Sequence, residues 1–172
     1  LAAAHPDWLS PPEAHVLGGI LSPGDGERMI DLSHPDALAW LSDTARRYRE
    51  DLGVTFLKHD FGYLAFPVRA TADPSMTAME AYRGGLRALR AGLGDDAFLL
   101  GIGFVGTGVG IVDGMRTTLD NGPLWAQADP FSAFGSGNAF QATVKTGARR
   151  YYFHDRTWVN HHDLLFFRTD AE

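Results

Sequence analysis

In VTFLKHDFGY (Val54–Tyr63) an apolar run ends in a lysine and an aspartate two residues apart. On a strand, Lys58 and Asp60 fall on the same side of the pleat. A strand buried on both faces reads as a continuous apolar run. Charge at its last positions is costly unless it reaches water, a partner or a ligand. A strand-end salt bridge meets that need. So does a ligand site, because parallel α/β folds bind ligands outside the carboxyl ends of their strands. A second ending of this kind occurs in VDGMRTTLD (Val112–Asp120), where Arg116 and Asp120 either pair with each other in a loop or serve the same rim. Asp60 and Asp120 are 60 residues apart, about two βα units of roughly 30 residues each. That spacing puts both carboxylates on alternate strands, which in a (β/α)8 barrel supply one layer of the interior. Two carboxylates across one pocket is the arrangement that glycoside hydrolysis requires.

The elements around these residues must position them. Residues 1–30 are rich in Pro, Gly and Ala and read as a long loop. In MIDLSHPDALAWLSDTARRYRE, Ser33 is the expected helix cap, with Pro35 in the first turn and Asp36 completing an S-x-x-D box. Leu38, Leu41, Ala45 and Tyr48 share one face, and Gly53 ends the helix before the strand at Val54–Lys58. The unit then repeats: MTAMEAYRGGLRALRAGLG places Met79, Tyr82, Leu86, Leu89 and Leu93 at helical spacing, closed by Gly94, and the strand Ala97–Gly101 follows. A third strand is expected around Gly110–Met115, and a fourth near Arg149–Phe153 or Trp158–Asn160. Strands alternating with helices imply an α/β fold with a parallel sheet. No tandem repeat or low-complexity linker interrupts the chain, so 1–172 reads as one domain or part of one.

Other motifs carry less chemistry. GIGFVGTGVG (Gly101–Gly110) contains G-x-G-x-x-G after a strand, but a dinucleotide site needs a helix opening at the third glycine. Gly106 is followed by Thr-Gly-Val-Gly-Ile-Val, a poor helix former. A glycine-rich loop at a pocket rim fits better. His154, His161 and His162, near Asp155 and Asp163, suggest a metal, yet His161 and His162 are adjacent and point apart in any regular element. No metal or cofactor is implied. Among the aromatics Trp8, Trp40, Trp125, Trp158, Tyr151 and Tyr152, most are assigned to the core, and Trp125, five residues past Asp120, is the one placed to line a sugar pocket.

Bulk properties narrow the classes. The 172 residues are 45% hydrophobic, enough for a real core. Fifteen basic against 21 acidic residues give a net charge of −6 with no basic tract, which disfavours nucleic acid as a partner. The apolar runs fall short of the ~20 residues of a membrane helix. With no cysteine, disulfides and thiolate metal sites are excluded and the compartment stays open, as does the oligomeric state. The start, LAAAHPDWLSPPEAH, lacks both Met and a basic signal-peptide opening, and reads as a chain entered midway.

Six stretches in register resemble the α-galactosidase family of retaining glycosidases, glycoside hydrolase family 36 and its clan relatives. They are HPDWL (His5–Leu9), IDLSHPDALAWL (Ile30–Leu41), FLKHDF (Phe56–Phe61), LLGIGFVGTGVGIVDGMRTTLD (Leu99–Asp120), GPLW (Gly122–Trp125) and WVNHHDLLFFR (Trp158–Arg168). The resemblance implies a partial (β/α)8 TIM barrel, roughly strand four onward, with 1–30 the long loop after strand three; a whole barrel takes about 250 residues. It implies that Asp60 is the nucleophile, Asp120 the general acid/base, and Lys58 and Arg116 contacts to the sugar. The substrate would be an oligosaccharide or glycoside, cleaved with retention through a glycosyl-enzyme. A transglycosylase of the raffinose-synthase kind and an inactive or carbohydrate-binding barrel are the alternatives. Two positions depart: Ile102 stands near where the family commonly has a cysteine, and His161-His162-Asp163 where it has Asp-Pro-Asp. The 172-residue chain by itself is expected to be poorly soluble and inactive, since an open parallel sheet leaves unpaired edges.

Overall fold

The structure is a computed structural model and describes residues 1–9, 29–60, 72–102, 106–118, 120–121, 125 and 140–163. The expectations for 10–28, for the end of FLKHDF, for Gly122–Leu124 and for Leu164–Arg168 lie outside these residues. The chain divides into two compact units, Leu1–Val112 and Asp113–Glu172. Each holds one pair of parallel strands with helix beside it.

In the first unit, helix α1 spans Pro35–Leu52 and strand β1 spans Phe56–His59. The cap of α1 differs from the expectation. Ser33 is turned toward the buried Asp31, whose Oδ1 accepts both its N–H (2.9 Å) and its hydroxyl (2.6 Å). The other Asp31 oxygen accepts the Ala72 N–H at 2.9 Å, so this carboxylate joins the entry of α1 to the segment before the next helix. The cap is His34 instead, whose Nδ1 accepts from the Asp36 N–H at 3.2 Å. At the far end Gly53 adopts φ 67°, and the Val54 N–H reaches back to the Tyr48 carbonyl at 3.0 Å.

Helix α2 spans Ala78–Leu93 and opens with a complete capping box between Thr77 and Glu80. Tyr82, Leu86, Leu89 and Leu93 are buried as the spacing predicts, while Met79 and, on α1, Tyr48 are exposed. Both apolar stripes are thus shorter than expected at one end. Small residues set the approach of the two helices: a Cβ on Gly92 would stand 2.0 Å from the Ser42 carbonyl oxygen and 2.8 Å from the Ala45 Cβ. Alanine at 92 gains helix propensity of about 1 kcal/mol, but the clash is with backbone, which cannot rotate away. Gly92→Ala should therefore cost about 1–3 kcal/mol net, read as a lower urea midpoint, and an unchanged midpoint would mean that the helices are free to separate.

Strand β2, Phe98–Ile102, pairs with β1 in parallel register, Lys58 opposite Leu100 and His59 opposite Gly101. β2 is buried over Leu99–Ile102. β1 is not the doubly buried strand expected: Phe56 and Lys58 are exposed, and Leu57 and His59 are half-buried. Among the described residues of this unit its ladder partner is β2 alone, and the other edge is open. After β2, residues 106–111 form a turn, with Gly106 at φ 106° and Gly110 at φ 73°. Arginines of α2 anchor that turn. Arg83 donates to the carbonyls of Thr107 (2.5 Å) and Val109 (3.0 Å), and Arg90 Nε to that of Ile111 (3.1 Å).

In the second unit, strand β3 is Gly114–Arg116, helix α3 is Phe140–Arg150 and strand β4 is Val159–His161. β3 and β4 are parallel, Met115 opposite Asn160 and Arg116 opposite His161, and the ladder continues through Thr117 N–H to the His161 carbonyl at 2.9 Å. Of the two places expected for the fourth strand, the later one forms. Arg149 and Arg150 close α3, and Tyr151–Phe153 is a 3-10 turn. Trp158 is buried, but Trp40, Tyr151 and Tyr152 are exposed and do not belong to the core. α3 carries Thr, Val and Gly in a sequence of modest helix propensity; its Gly147 lies against the His162 ring, where a Cβ would meet Cε1 at 3.0 Å.

Candidate functional site

The charged residues that end β1 and β3 sit where parallel strands deliver side chains to a rim. Lys58 is the third residue of β1 and Asp60 follows its last. Lys58 Nζ lies 3.3 Å from Asp60 Oδ2, with both side chains 42% exposed. The strand-end salt bridge therefore forms, and exposed pairs of this kind add little stability. It leaves both groups accessible to a ligand.

His59, between them, turns the other way. Its ring stands beside Tyr82, 6.3 Å between centroids, and its Nδ1 is buried with no hydrogen-bond partner among the described residues. Burial lowers the proton affinity of the imidazole, against an opposing pull from the Asp60 charge. Burial likewise pushes the Tyr82 hydroxyl up to about 12. The folded chain thus holds His59 neutral at a pH where the unfolded chain has protonated it. Unfolding takes up a proton there, so stability rises with pH across that window. The contribution is present above the ordinary histidine value of about 6.5 and is lost as pH falls through the lower folded value. We expect His59→Phe to flatten the fall in urea midpoint between about pH 7 and 5; an equally steep fall in the variant would show that His59 does not cause it.

In the second unit, Arg116 closes β3 with a side chain only 8% exposed. Its Nη2 pairs with Asp120 Oδ1 and lies 3.4 Å from Asp163 Oδ2. The loop pairing of Arg116 and Asp120 thus forms too. The carboxylates differ in setting, Asp120 being 74% and Asp163 16% exposed. Asp163 follows β4 at φ 65°, a left-handed conformation that aspartate tolerates better than most residues. Its Oδ2 also accepts the Asn121 N–H at 2.9 Å, while the Asn121 amide donates to the His162 carbonyl at 3.0 Å. The turn after β4 therefore grips the residue next to Asp120.

The histidines separate as adjacency requires. His161 Nδ1 faces the Asp163 N–H at 3.2 Å, and His162 Nδ1 meets the Thr117 hydroxyl at 3.1 Å. His162 is kept toward its neutral form, first by burial and then by His154. Among the described residues no three metal-ligating side chains come together. No helix of these residues is long and apolar enough to cross a membrane. Trp125 is 59% exposed; its ring stands 5.5 Å from that of Phe140, and its carbonyl accepts the Gln141 N–H at 2.9 Å. Nothing local in the sequence points to Asp163 as a partner of Arg116. The only signal was an acidic residue just past a strand, 43 positions after the nearer carboxylate, and pairing at that range is invisible without the β3–β4 register.

Parallel strand pairs flanked by helices, with paired charges at the strand ends, define an α/β protein. No family model matches the chain. Among solved structures it is similar to TtGalA, the α-galactosidase of Thermus thermophilus, in complex with stachyose, with TM-score 0.68 and 24% identity over 99% of this chain and 36% of that one. The same enzyme in complex with p-nitrophenyl α-D-galactopyranoside gives TM-score 0.68 and 23% identity, covering 99% and 35%. The chain thus spans about a third of the length of the structures it matches. At this identity the likeness establishes an α-galactosidase-like fold.

Proposed function

We propose that the chain is part of the catalytic (β/α)8 barrel of a retaining α-glycosidase akin to glycoside hydrolase family 36, acting on terminal α-galactosides. The observation that carries the reading is the likeness to an α-galactosidase over 99% of the chain. The placing of Lys58 with Asp60 beside one strand end, and of Arg116 with Asp120 beside another, supports it. The reading treats 1–172 as one portion of that domain.

In this mechanism Asp60 attacks the anomeric carbon as Asp120 gives its proton to the departing oxygen. The C–O bond to the leaving group breaks and a glycosyl ester to Asp60 forms. Water then enters, Asp120 takes its proton, and the ester bond breaks with the original configuration restored. Lys58 and Arg116 are the sugar-binding cations. In the unliganded chain each is paired with a carboxylate, so a bound sugar would exchange part of each ion pair for hydroxyl contacts. Trp125, with its exposed ring, would offer an apolar face to the sugar.

The test is turnover of a chromogenic α-galactoside by the natural-length protein, with the configuration of the first product followed by NMR and with sugar acceptors added in a second arm. Release of α-galactose supports the reading. Transfer to an acceptor in place of release would make the protein a transglycosylase with the same two aspartates. Absence of both would remove the catalytic reading.

A further inference from the structure

We propose that Asp163 is a positioning residue that shares the Arg116 guanidinium with Asp120 and so leaves Asp120 free to carry a proton. The inference rests on the proton-transfer role proposed above for Asp120. A general acid beside an arginine faces a difficulty: the cation favours the carboxylate over the acid. Asp120 has no cation but Arg116 within ion-pairing distance among the described residues of its unit, and that cation is buried while Asp120 is exposed. Left alone with Arg116, Asp120 would be held as the anion.

Asp163 changes the balance. Its Oδ2 lies 3.4 Å from the same Nη2 that Asp120 uses, and it is the better buried of the two carboxylates. A buried charge is screened less by water and salt than an exposed one. Asp120 makes the closer contact, a hydrogen bond to Nη2, but the buried Asp163 lies beside the same atom, so the Arg116 charge is divided between two carboxylates and does not fall on Asp120 alone. Its position is fixed by its backbone N–H on His161 Nδ1 and by the Asn121 N–H on its own Oδ2. Because Asn121 follows Asp120 directly, the same carboxylate oxygen sets both the charge beside Asp120 and the path of the backbone that carries it. The other titratable or charged groups around the turn are already engaged. His161 Nδ1 faces the Asp163 N–H, His162 is toward neutral on Thr117, and Arg150 of α3 donates to the Thr117 carbonyl.

Asp163→Asn isolates the charge, since the amide oxygen can still accept from Asn121 and asparagine tolerates the left-handed backbone. In the natural-length protein, kcat/KM for methyl α-galactoside, whose leaving group needs a proton, should fall at least about tenfold. For a nitrophenyl α-galactoside, whose leaving group does not, it should fall less than about threefold. The alkaline limb of the methyl-galactoside profile should move to lower pH. Asp163→Glu, which keeps the charge, should retain the wild-type leaving-group pattern. Carboxyl NMR of 13C-labelled aspartate reads Asp120 directly, without turnover, and its titration midpoint should move to lower pH in Asp163→Asn. Equal losses on the two substrates, a Glu variant that behaves like the Asn variant, or an unmoved Asp120 midpoint would each overturn the inference while leaving the glycosidase reading intact. A moved midpoint in a protein without galactosidase turnover would uphold the pairing of Asp163 with Asp120 and overturn the glycosidase reading instead.

Discussion

Asp60→Ala in the natural-length protein should abolish turnover on every α-galactoside, with kcat falling by a factor on the order of 10⁴ or more, the scale seen when a nucleophile is removed. The loss should not depend on the leaving group, because neither a good nor a poor one can be displaced by a carboxylate that is absent. The side chain is 42% exposed and pairs with Lys58 at 3.3 Å. Truncating a side chain this exposed should change folding by only about 0.5 kcal/mol. A folded, inert protein is the expected result. External nucleophiles supply the discriminating step: azide should enter from the face that Asp60 vacates and give the inverted glycosyl azide from an activated donor. Residual turnover with retained product in Asp60→Ala would move the nucleophile elsewhere in the protein, and Asp60 would then be no more than the partner of Lys58.

Much of what positions these residues is legible in the chain, and the reasons for the rest are physical. The two helices and the strands after them follow from apolar spacing and end glycines, so α1, α2, β1 and β2 fall within a few residues of where the pattern puts them. The cap of α1 did not, because Ser33 and His34 are both polar and only tertiary context decides between them. Asp31 is buried and draws in the Ser33 hydroxyl, which leaves His34 nearest the free N–H groups. Burial at the helix ends was also hidden. Met79 and Tyr48 keep the period of their helices but lie past the reach of the opposing surface. α3 is not marked in the sequence, since its Thr, Val and Gly have modest helix propensity, and only the structure shows Gly147 against the His162 ring. At the site, the local pairs Lys58–Asp60 and Arg116–Asp120 are visible as spacings of two and four. Asp163 required the register of two parallel strands far apart in sequence.

Asp120→Ala should separate the two chemical steps. An aryl leaving group of low pKa departs with little proton donation, so the glycosyl-enzyme should still form on Asp60 from a nitrophenyl α-galactoside. A methyl α-galactoside should be almost inert, with kcat/KM lower by roughly 10²–10⁴-fold, the worth of general acid/base help. Hydrolysis of the intermediate also needs a base, so with the aryl substrate it becomes the slow step, and the covalent species should accumulate as a mass increment on the peptide that carries Asp60. Azide needs no base and should restore turnover, giving a glycosyl azide of retained configuration. Folding bears on the interpretation. Losing the exposed Asp120 leaves the buried Arg116 with Asp163 still at 3.4 Å, so the cation is not stranded and the variant should stay folded. If azide instead yields the inverted product from Asp120→Ala, the roles are exchanged, with Asp120 as nucleophile and Asp60 as acid/base. If the variant hydrolyses methyl and nitrophenyl galactosides as the wild type does, Asp120 takes no part in the reaction, and its bond to Arg116 is the loop pairing that a spacing of four residues allows.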